Sequence, residues 1–417
     1  MAPRFWSIQY RTERRLSPPP EVSGKRMWLF AIVVAPAVLL AVSSWRGERE
    51  KFRYYRERLA DQSQDTFLPQ VSLIVPIKGH DTGLPENLAS LAGLDYPDYE
   101  LIIAARGPGD IPDGVVPPRA RVVFSGGQPA GAAEKLQNLL AAVRASRPRT
   151  EVLAFADSDG RVSQGWLRAL VAPLEEAEVG ASTGYRVYLP EIPDFWSSLR
   201  SAWNAVIFGT FGPGKIEFVW GGAMAVRKDL FSRLGVEALW AGTASDDYVL
   251  TEAVRAAKFQ LRFAPGALVV SNDRIAAWEL LRWIERQMVI TRVYAPRLWA
   301  LSFFATLMYC TGMVACLVTL GYGHWMAGAI LAFLLAAGML KGTARKNLAA
   351  MALPESRPWL QRHGWAFTWL VPLATWTWLY GHLVSACTNV IEWRGYRYRL
   401  SRTAIFNVSS PPQPSVE

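Results

Sequence analysis

The chain is poor in the residues that build disulfide frameworks and zinc centres. Only three cysteines occur in 417 residues. Cys310, Cys316 and Cys387 all sit inside apolar runs and none has metal-ligand spacing, so they read as small packing residues. The four histidines, His80, His324, His363 and His382, are scattered and form no HxxxH-type pair, which argues against a zinc site. Charge is also scarce, at 19% of residues against 51% apolar, and no internal repeat is visible.

What is present is unevenly spread. Apolar runs crowd residues 27–45 and 299–390, while the middle has the composition of a soluble protein. Eighteen tryptophans occur, many near the edges of those runs, where amphipathic rings favour the lipid headgroup level. With such runs present, the net charge of +10 points to anionic lipid headgroups as partner, and not to nucleic acid.

The segment RMWLFAIVVAPAVLLAVSSW has about the ~20 apolar residues a spanning helix needs. It follows a basic, Pro-rich leader (1–25) and lacks a small-residue cleavage site, so a retained anchor is expected over 26–46. The Arg-rich RGEREKFRYYRERL behind it points to the cytoplasmic face. Transmembrane helices are expected over 298–390: a hairpin of two, then a basic stretch from 341, then a further candidate over 365–387. A basic, partly disordered tail would fill 391–417. Three later spans set that tail outside, against its charge, unless the last segment re-enters. The stretch PDFWSSLRSAWNAVIFGTFG (193–212) is too interrupted to span and reads as a headgroup-plane helix or a buried one.

Between the membrane regions, residues 70–297 alternate strand and helix patterns. VSLIVPI, ELIIAA, ARVVFS, EVLAFA and VGASTGYRVY are short β-rich runs, with helical patterns such as AAEKLQNLLAAVRAS and SQGWLRALVAPLEEA among them. That alternation predicts an α/β domain on a mostly parallel sheet, with ligands at the carboxyl ends of the strands. Asp157 and Asp159, in AFADSDGRV, stand at such an end.

Three stretches carry candidate chemistry. The Asp157/Asp159 pair suits a hard divalent ion, Mg²⁺ or Mn²⁺, neutralising a diphosphate, although an acidic turn explains the tripeptide as well. TASDDYVLTEAV offers Asp246 and Asp247 as a base for an acceptor hydroxyl, or as helix-opening acids. WELLRWIERQMVITRVY offers Arg282, Arg286 and Arg292 with Trp283 as a diphosphate clamp, or as a juxtamembrane basic helix.

Their order along the chain, VPIKGHD, DSD, VWGGAMAVRKDLF, DDY and RW before the membrane, resembles the ceramide glucosyltransferase family of membrane-anchored, inverting glycosyltransferases with the GT-A fold. The resemblance covers residues 70–300. It implies donor-binding roles for Lys78 in the motif Lys78-Gly79-x-Asp81, and for Lys135, which is followed by Asn138-Leu139. It places the family's second aspartate on Asp157 and its RKD on Arg227–Asp229. Its base motif falls on Asp246-Asp247-Tyr248, with Asp247 as the base, and its closing motif on Glu279, Arg282 and Trp283. Arg282 and Trp283 would cover the leaving group. Asp159 rests on ligand chemistry alone.

Two positions depart from the pattern. Gly107 stands where the family has its first aspartate, with Asp110 as a stand-in three residues on, and Glu279 replaces the Gln or Arg that opens the closing motif. The implied activity is sugar transfer from a nucleotide diphosphate sugar, UDP-glucose or similar, to a membrane lipid hydroxyl, ceramide-like, with hopanoid or diacylglycerol as alternatives. The catalytic domain would face the cytoplasm from a bacterial inner membrane, or from the ER or Golgi in a eukaryote. A processive polysaccharide synthase and a non-catalytic membrane protein with a GT-A-like binding domain are the competing readings.

Overall fold

The structure, a computed structural model, describes residues 24–61, 63–126, 133–394, 396–402 and 405–409. The leader before residue 24 and the stretch after 409 lie outside the described residues.

The centre is a seven-stranded sheet built from β1 (Val71–Pro76), β2 (Tyr99–Ala105), β3 (Ala120–Phe124), β4 (Val152–Ala156), β5 (Val179–Thr183), β7 (Ala223–Arg227) and β8 (Gln260–Phe263), in the order β3-β2-β1-β4-β7-β5-β8. All pairings are parallel except those of β7, which runs against both neighbours. The run expected as one strand over 179–188 is divided. β6 (Arg186–Tyr188) leaves the main sheet and pairs with β9 (Val269–Ser271) in a small second one.

Because successive side chains point to opposite faces, the sheet is apolar on both sides. Ile74, Ile102 and Phe155 enter one core, whereas Leu73, Val75, Leu101, Ile103 and Ala154 enter the other. Strand order runs outward from β1 through β2 and β3 on one side and through β4 on the other. The crevice beyond β1 and β4 is therefore the topological switch point, where open α/β sheets place their ligands.

Of the helices, α1 (Gly24–Ser43) and α2 (Glu48–Leu59) precede the sheet, followed by α3 (Leu84–Ala92), α4 (Glu134–Ala145) and α5 (Trp166–Val171). Next come α6 (Phe195–Phe208), α7 (Asp246–Ala256) and α8 (Ala277–Tyr294), then α9 (Pro296–Gly321), α10 (Trp325–Ala352) and α11 (Val371–Cys387). Asp194 caps α6 by accepting from Ser197 N (3.0 Å), and the Glu279 carboxylate caps α8 by accepting from Ala276 N (2.9 Å). The α6 stretch is the buried alternative for most of its length, with Phe195 and Trp196 exposed at its start.

Among the described residues, three helices are long and apolar enough to cross a membrane: α1 with its continuation, α9 and α10. Large apolar side chains such as Trp28, Ile32 and Leu301 stand exposed on them, as lipid-facing positions do. A Cβ on Gly312 of α9 would lie 2.8 Å from Ala37 Cβ of α1, so small residues set that close crossing.

The segment expected as a third C-terminal span is not among these three helices, and both its ends meet the α/β domain. Trp359, beyond α10, donates its indole N–H to Pro190 O (3.0 Å), so the chain has already returned to the α/β domain. In α11, 17 residues long, Trp378 stacks on Trp203 of α6 (ring centroids 4.4 Å apart) and buried His382 bonds Ser302 of α9 (2.8 Å). The expected tail then forms β10 (Val390–Trp393), β11 (Tyr396–Leu400) and β12 (Ile405–Ser409), an antiparallel sheet whose Arg394 reaches Asp81 behind β1. Residues 353–389 thus leave from and return to the α/β domain. The described part of the basic tail, up to residue 409, lies on the side of the α/β domain.

Candidate active site

Short strand ends and helix starts deliver the acidic groups to one opening. β4 ends at Ala156 and presents Asp157, while α7 opens at Asp246 under the cap of Ser245, whose Oγ accepts from Tyr248 N (3.1 Å). The glycine pair of VWGGAMA lets them approach. A Cβ on Gly221 would lie 2.5 Å from Asp246 Oδ2, and one on Gly222 would lie 2.6 Å from Asp157 Oδ2.

Lys135, on α4, spans the gap at 3.0 Å from Asp157 Oδ1 and 3.0 Å from Asp246 Oδ2. Burial opposes its charge, but the two carboxylates prevail and hold its pKa above the ordinary lysine value. Arg186 of β6 joins the other acidic pair. It donates from Nη1 to Asp159 Oδ2 (2.8 Å), from Nη2 to Asp157 Oδ2 (3.2 Å) and from Nη2 to Asp159 Oδ1. Burial works against Asp159's charge too, yet the Arg186 guanidinium, with Arg394 and Lys135 beyond it, keeps the carboxyl below its usual range.

Asp247 differs from its neighbours. Its Oδ1 accepts from Ser245 Oγ and from Tyr248 N (2.7 Å), and no cation pairs with it among the described residues. Burial and the adjacent Asp246 push its pKa up to about 6. A carboxylate poised there is ionised at neutral pH and still basic enough to take a proton.

Lys78, after β1, pairs with buried Glu134 (2.7 Å) and lies 4.0 Å over the Tyr396 ring. Asp81 accepts from Ser158 Oγ (2.8 Å), tying the Lys78-Gly79-x-Asp81 loop to the DSD loop. On α8, Arg282 is exposed and faces Glu392 at 3.6 Å, and Trp283 packs edge-on against Tyr188 and Trp203. Arg286, one turn on, lines the same opening, and its charge senses Asp159, Arg186 and Arg394.

Other motif residues do structural work. Arg227 donates to the carbonyls of Leu174 and Val179 (2.7 Å each), and Asp229 pairs with Arg233, away from the opening. Glu279 lines the opening besides capping α8. Gly107 touches nothing in the opening, and Asp110 faces Arg106 at 3.8 Å.

Asp157, Asp159, Lys135, Arg186, Asp246, Asp247, Lys78, Glu279, Arg282, Trp283 and Arg286 line one cavity of about 1310 Å³, with Asp81, the RKD residues and the Gly107 region outside it. Such a volume exceeds the roughly 300–1,000 Å³ that holds one drug-sized ligand, so it has room for two reactants. Sequence reasoning missed Arg186, Glu134, Trp220, Arg394 and Tyr396 on its walls. Only the last two had a local signal, the period-two alternation of YRYRL behind a Trp-Arg-Gly turn.

Asp157 and Asp159 present oxygens one residue apart to this opening, and Arg186 and Lys135 already lie against them as cations. Two carboxylates are ligands that a hard divalent ion takes before completing its shell with phosphate oxygens, and an ion here would share them with Arg186 and Lys135. Among the described residues no third acidic, histidine or cysteine ligand joins them.

The chain is similar to a mannosyltransferase from Pyrobaculum calidifontis solved in complex with GDP-Man and Mn²⁺, at 17% identity and a TM-score of 0.44, covering 85% of this chain and 97% of that one. It is similar also to a mycobacterial protein of known crystal structure, at 15% identity and a TM-score of 0.35, covering 55% of this chain and 76% of that one. A family model described as glycosyl transferase family 21 matches residues 28–405. The chain therefore belongs to that family, the ceramide glucosyltransferase-like one whose motifs its sequence carries, and is a glycosyltransferase using a nucleotide-sugar donor.

Proposed function

We propose that the enzyme transfers a sugar, glucose or similar, from a UDP-linked donor to the hydroxyl of a membrane lipid, inverting the anomeric carbon. The observation that carries this reading is the continuity of the cavity. It runs from Asp157 and Asp247 past Ile290 to Leu298, Ser302, Ala305 and Thr306 on the spanning helix α9. An acceptor whose chains stay in the bilayer can reach Asp247 by that route without leaving it. A ceramide fits this description, as do a hopanoid and a diacylglycerol.

In this reading the α/β domain (70–297) faces the cytoplasm. Lys78 and Lys135 flank the donor, and Asp157 and Asp159 would hold Mg²⁺ or Mn²⁺, which when bound supplies charge neutralisation to the departing diphosphate. Asp247 takes the acceptor proton at its free oxygen edge as the hydroxyl attacks from the face opposite the leaving group. Asp246, fixed by Lys135, keeps a negative neighbour beside it and so keeps it basic. Arg282 and Trp283 close the side of the site toward α8 and exclude the water that would hydrolyse the donor.

The test is to incubate the membrane-embedded protein with radiolabelled UDP-sugars and lipid extract. A lipid carrying one labelled sugar, with the anomer opposite to that of the donor, is the expected product. A polymer would favour the processive synthase, and label at background would remove the lipid-transferase reading.

A further inference from the structure

The C-terminal hairpin supplies one stretch of the cavity wall, through Trp393, Arg394 and Tyr396. Its tip reaches back across 290 to 313 residues of sequence to the ends of β2 and β1. Tyr396 places its ring under Lys78 Nζ (4.0 Å) and its hydroxyl accepts from Arg106 Nη1 (2.6 Å). Tyr396, Tyr398 and Leu400 are buried while Arg397 and Arg399 face outward, so the hairpin is packed in place.

At the tip, Arg394 has φ +51°, the left-handed region that a non-glycine residue occupies only when its surroundings hold it there. The packed strands on either side impose that conformation, and its result is specific. The guanidinium is carried over the opening and paired with Asp81, whose other oxygen is bonded to Ser158 between Asp157 and Asp159.

Arg394 is one of three guanidiniums gathered there. Arg186 has both Asp157 and Asp159. Arg286 lines the same cavity as Arg394, has no carboxylate within ion-pair distance among the described residues, and lies over the ring of Trp393, 5.9 Å from its centroid. Burial, with Arg394 and Arg186 adding to it, lowers the pKa of Arg286. A half-buried cation left without a counter-charge beside two others is the arrangement that binds a multiply charged anion.

We propose that the C-terminal hairpin forms one wall of the donor pocket, and that Arg394 at its tip and Arg286 on α8 are the guanidiniums that contact the diphosphate of the nucleotide donor. The inference rests on the reading of this cavity as the donor site. It makes Arg394 a catalytic residue, since the charge it meets grows as the sugar leaves. It also makes the tail part of the site, and gives Arg286 a more central place than Arg282.

The experiment compares binding of UDP and of uridine to the full-length protein in nanodiscs. Asn tolerates the left-handed conformation, so Arg394→Asn removes the guanidinium and keeps the turn. It is expected to weaken UDP by roughly 10–100-fold, as for loss of a charge-assisted contact, with uridine unchanged. Arg286→Gln should do the same, and Arg394→Lys should recover part of the loss. Unchanged UDP binding in both variants would overturn the proposal. So would equal weakening of UDP and uridine, which would mark the hairpin as scaffold only. Wild-type protein that binds neither UDP nor GDP would remove the donor reading itself, a result distinct from either.

Discussion

Replacing Asp247 by asparagine keeps the side chain's size and its acceptor toward Tyr248 N, and removes only the negative charge. Two consequences of opposite sign follow. A positioned general base is worth about 10²–10⁴ in rate, so Asp247→Asn should lower kcat by that factor with the donor KM nearly unchanged. The same carboxylate burdens the fold. Burial and Asp246 raise its pKa to about 6 from an ordinary value near 4. At about 1.4 kcal/mol per tenfold change in proton affinity, that is about 3 kcal/mol at neutral pH. The variant sheds that penalty, so it should be at least as stable as the wild type at neutral pH.

The sign follows from linkage. The folded pKa lies above the unfolded one, so the wild type keeps the full contribution below about pH 4 and loses it as pH rises through about 6. Thermal unfolding in detergent at pH 8 should find Asp247→Asn equal to or more stable than wild type, with the difference shrinking toward pH 4. The activity profile runs the other way. Wild-type kcat/KM should be flat above about pH 7 and fall about tenfold per pH unit below about 6, where Asp247 takes up its proton. A variant retaining more than a tenth of wild-type turnover, or a wild-type rate flat from pH 5 to 7, would refute the assignment.

Other perturbations test the surrounding groups. Asp157→Ala should abolish the response of activity to added Mg²⁺ or Mn²⁺ in a chelator-stripped preparation, and an unchanged metal titration would remove the cradle. Lys135→Met leaves Asp157 and Asp246 facing each other without their cation. It should destabilise the fold by about 3 kcal/mol, the cost of breaking a buried pair, and shift the acid limb of the pH profile upward. A melting temperature and profile like the wild type's would show that the bridge carries little.

The sheet was legible because its strands are short β-rich runs buried on both faces, and a run of that kind is visible without knowing its neighbours. Strand direction was not. AMAVR looks like any other buried strand, and only the pairing of β7 with β4 and β5 shows that it runs backward. The motif order located Asp157, Asp246 and Lys135, which the structure brings within one ion-pair network.

Arg186 was out of reach because nothing local ties it to residues 27 and 29 positions earlier. The misread helix has the same kind of explanation. Residues 366–387 have the composition of a membrane span, and composition does not distinguish lipid from Trp203 and Ser302 as the partner. For the hairpin the signal was present in the alternation of YRYRL, but basic charge at a chain end suggested a tail.

The central claim is that donor and acceptor meet in one cavity opened to the bilayer at α9. Ala305→Trp fills the wall of that cavity on the spanning helix, away from the acidic groups. The direct measurement is the ratio of lipid glycosylation to UDP binding in this variant, in nanodiscs made with the same lipid extract. The account predicts transfer reduced at least about tenfold, the scale of a blocked acceptor contact of about 1.4 kcal/mol or more, with UDP affinity unchanged. Transfer at the wild-type rate would contradict it, because the acceptor would then reach Asp247 by another way.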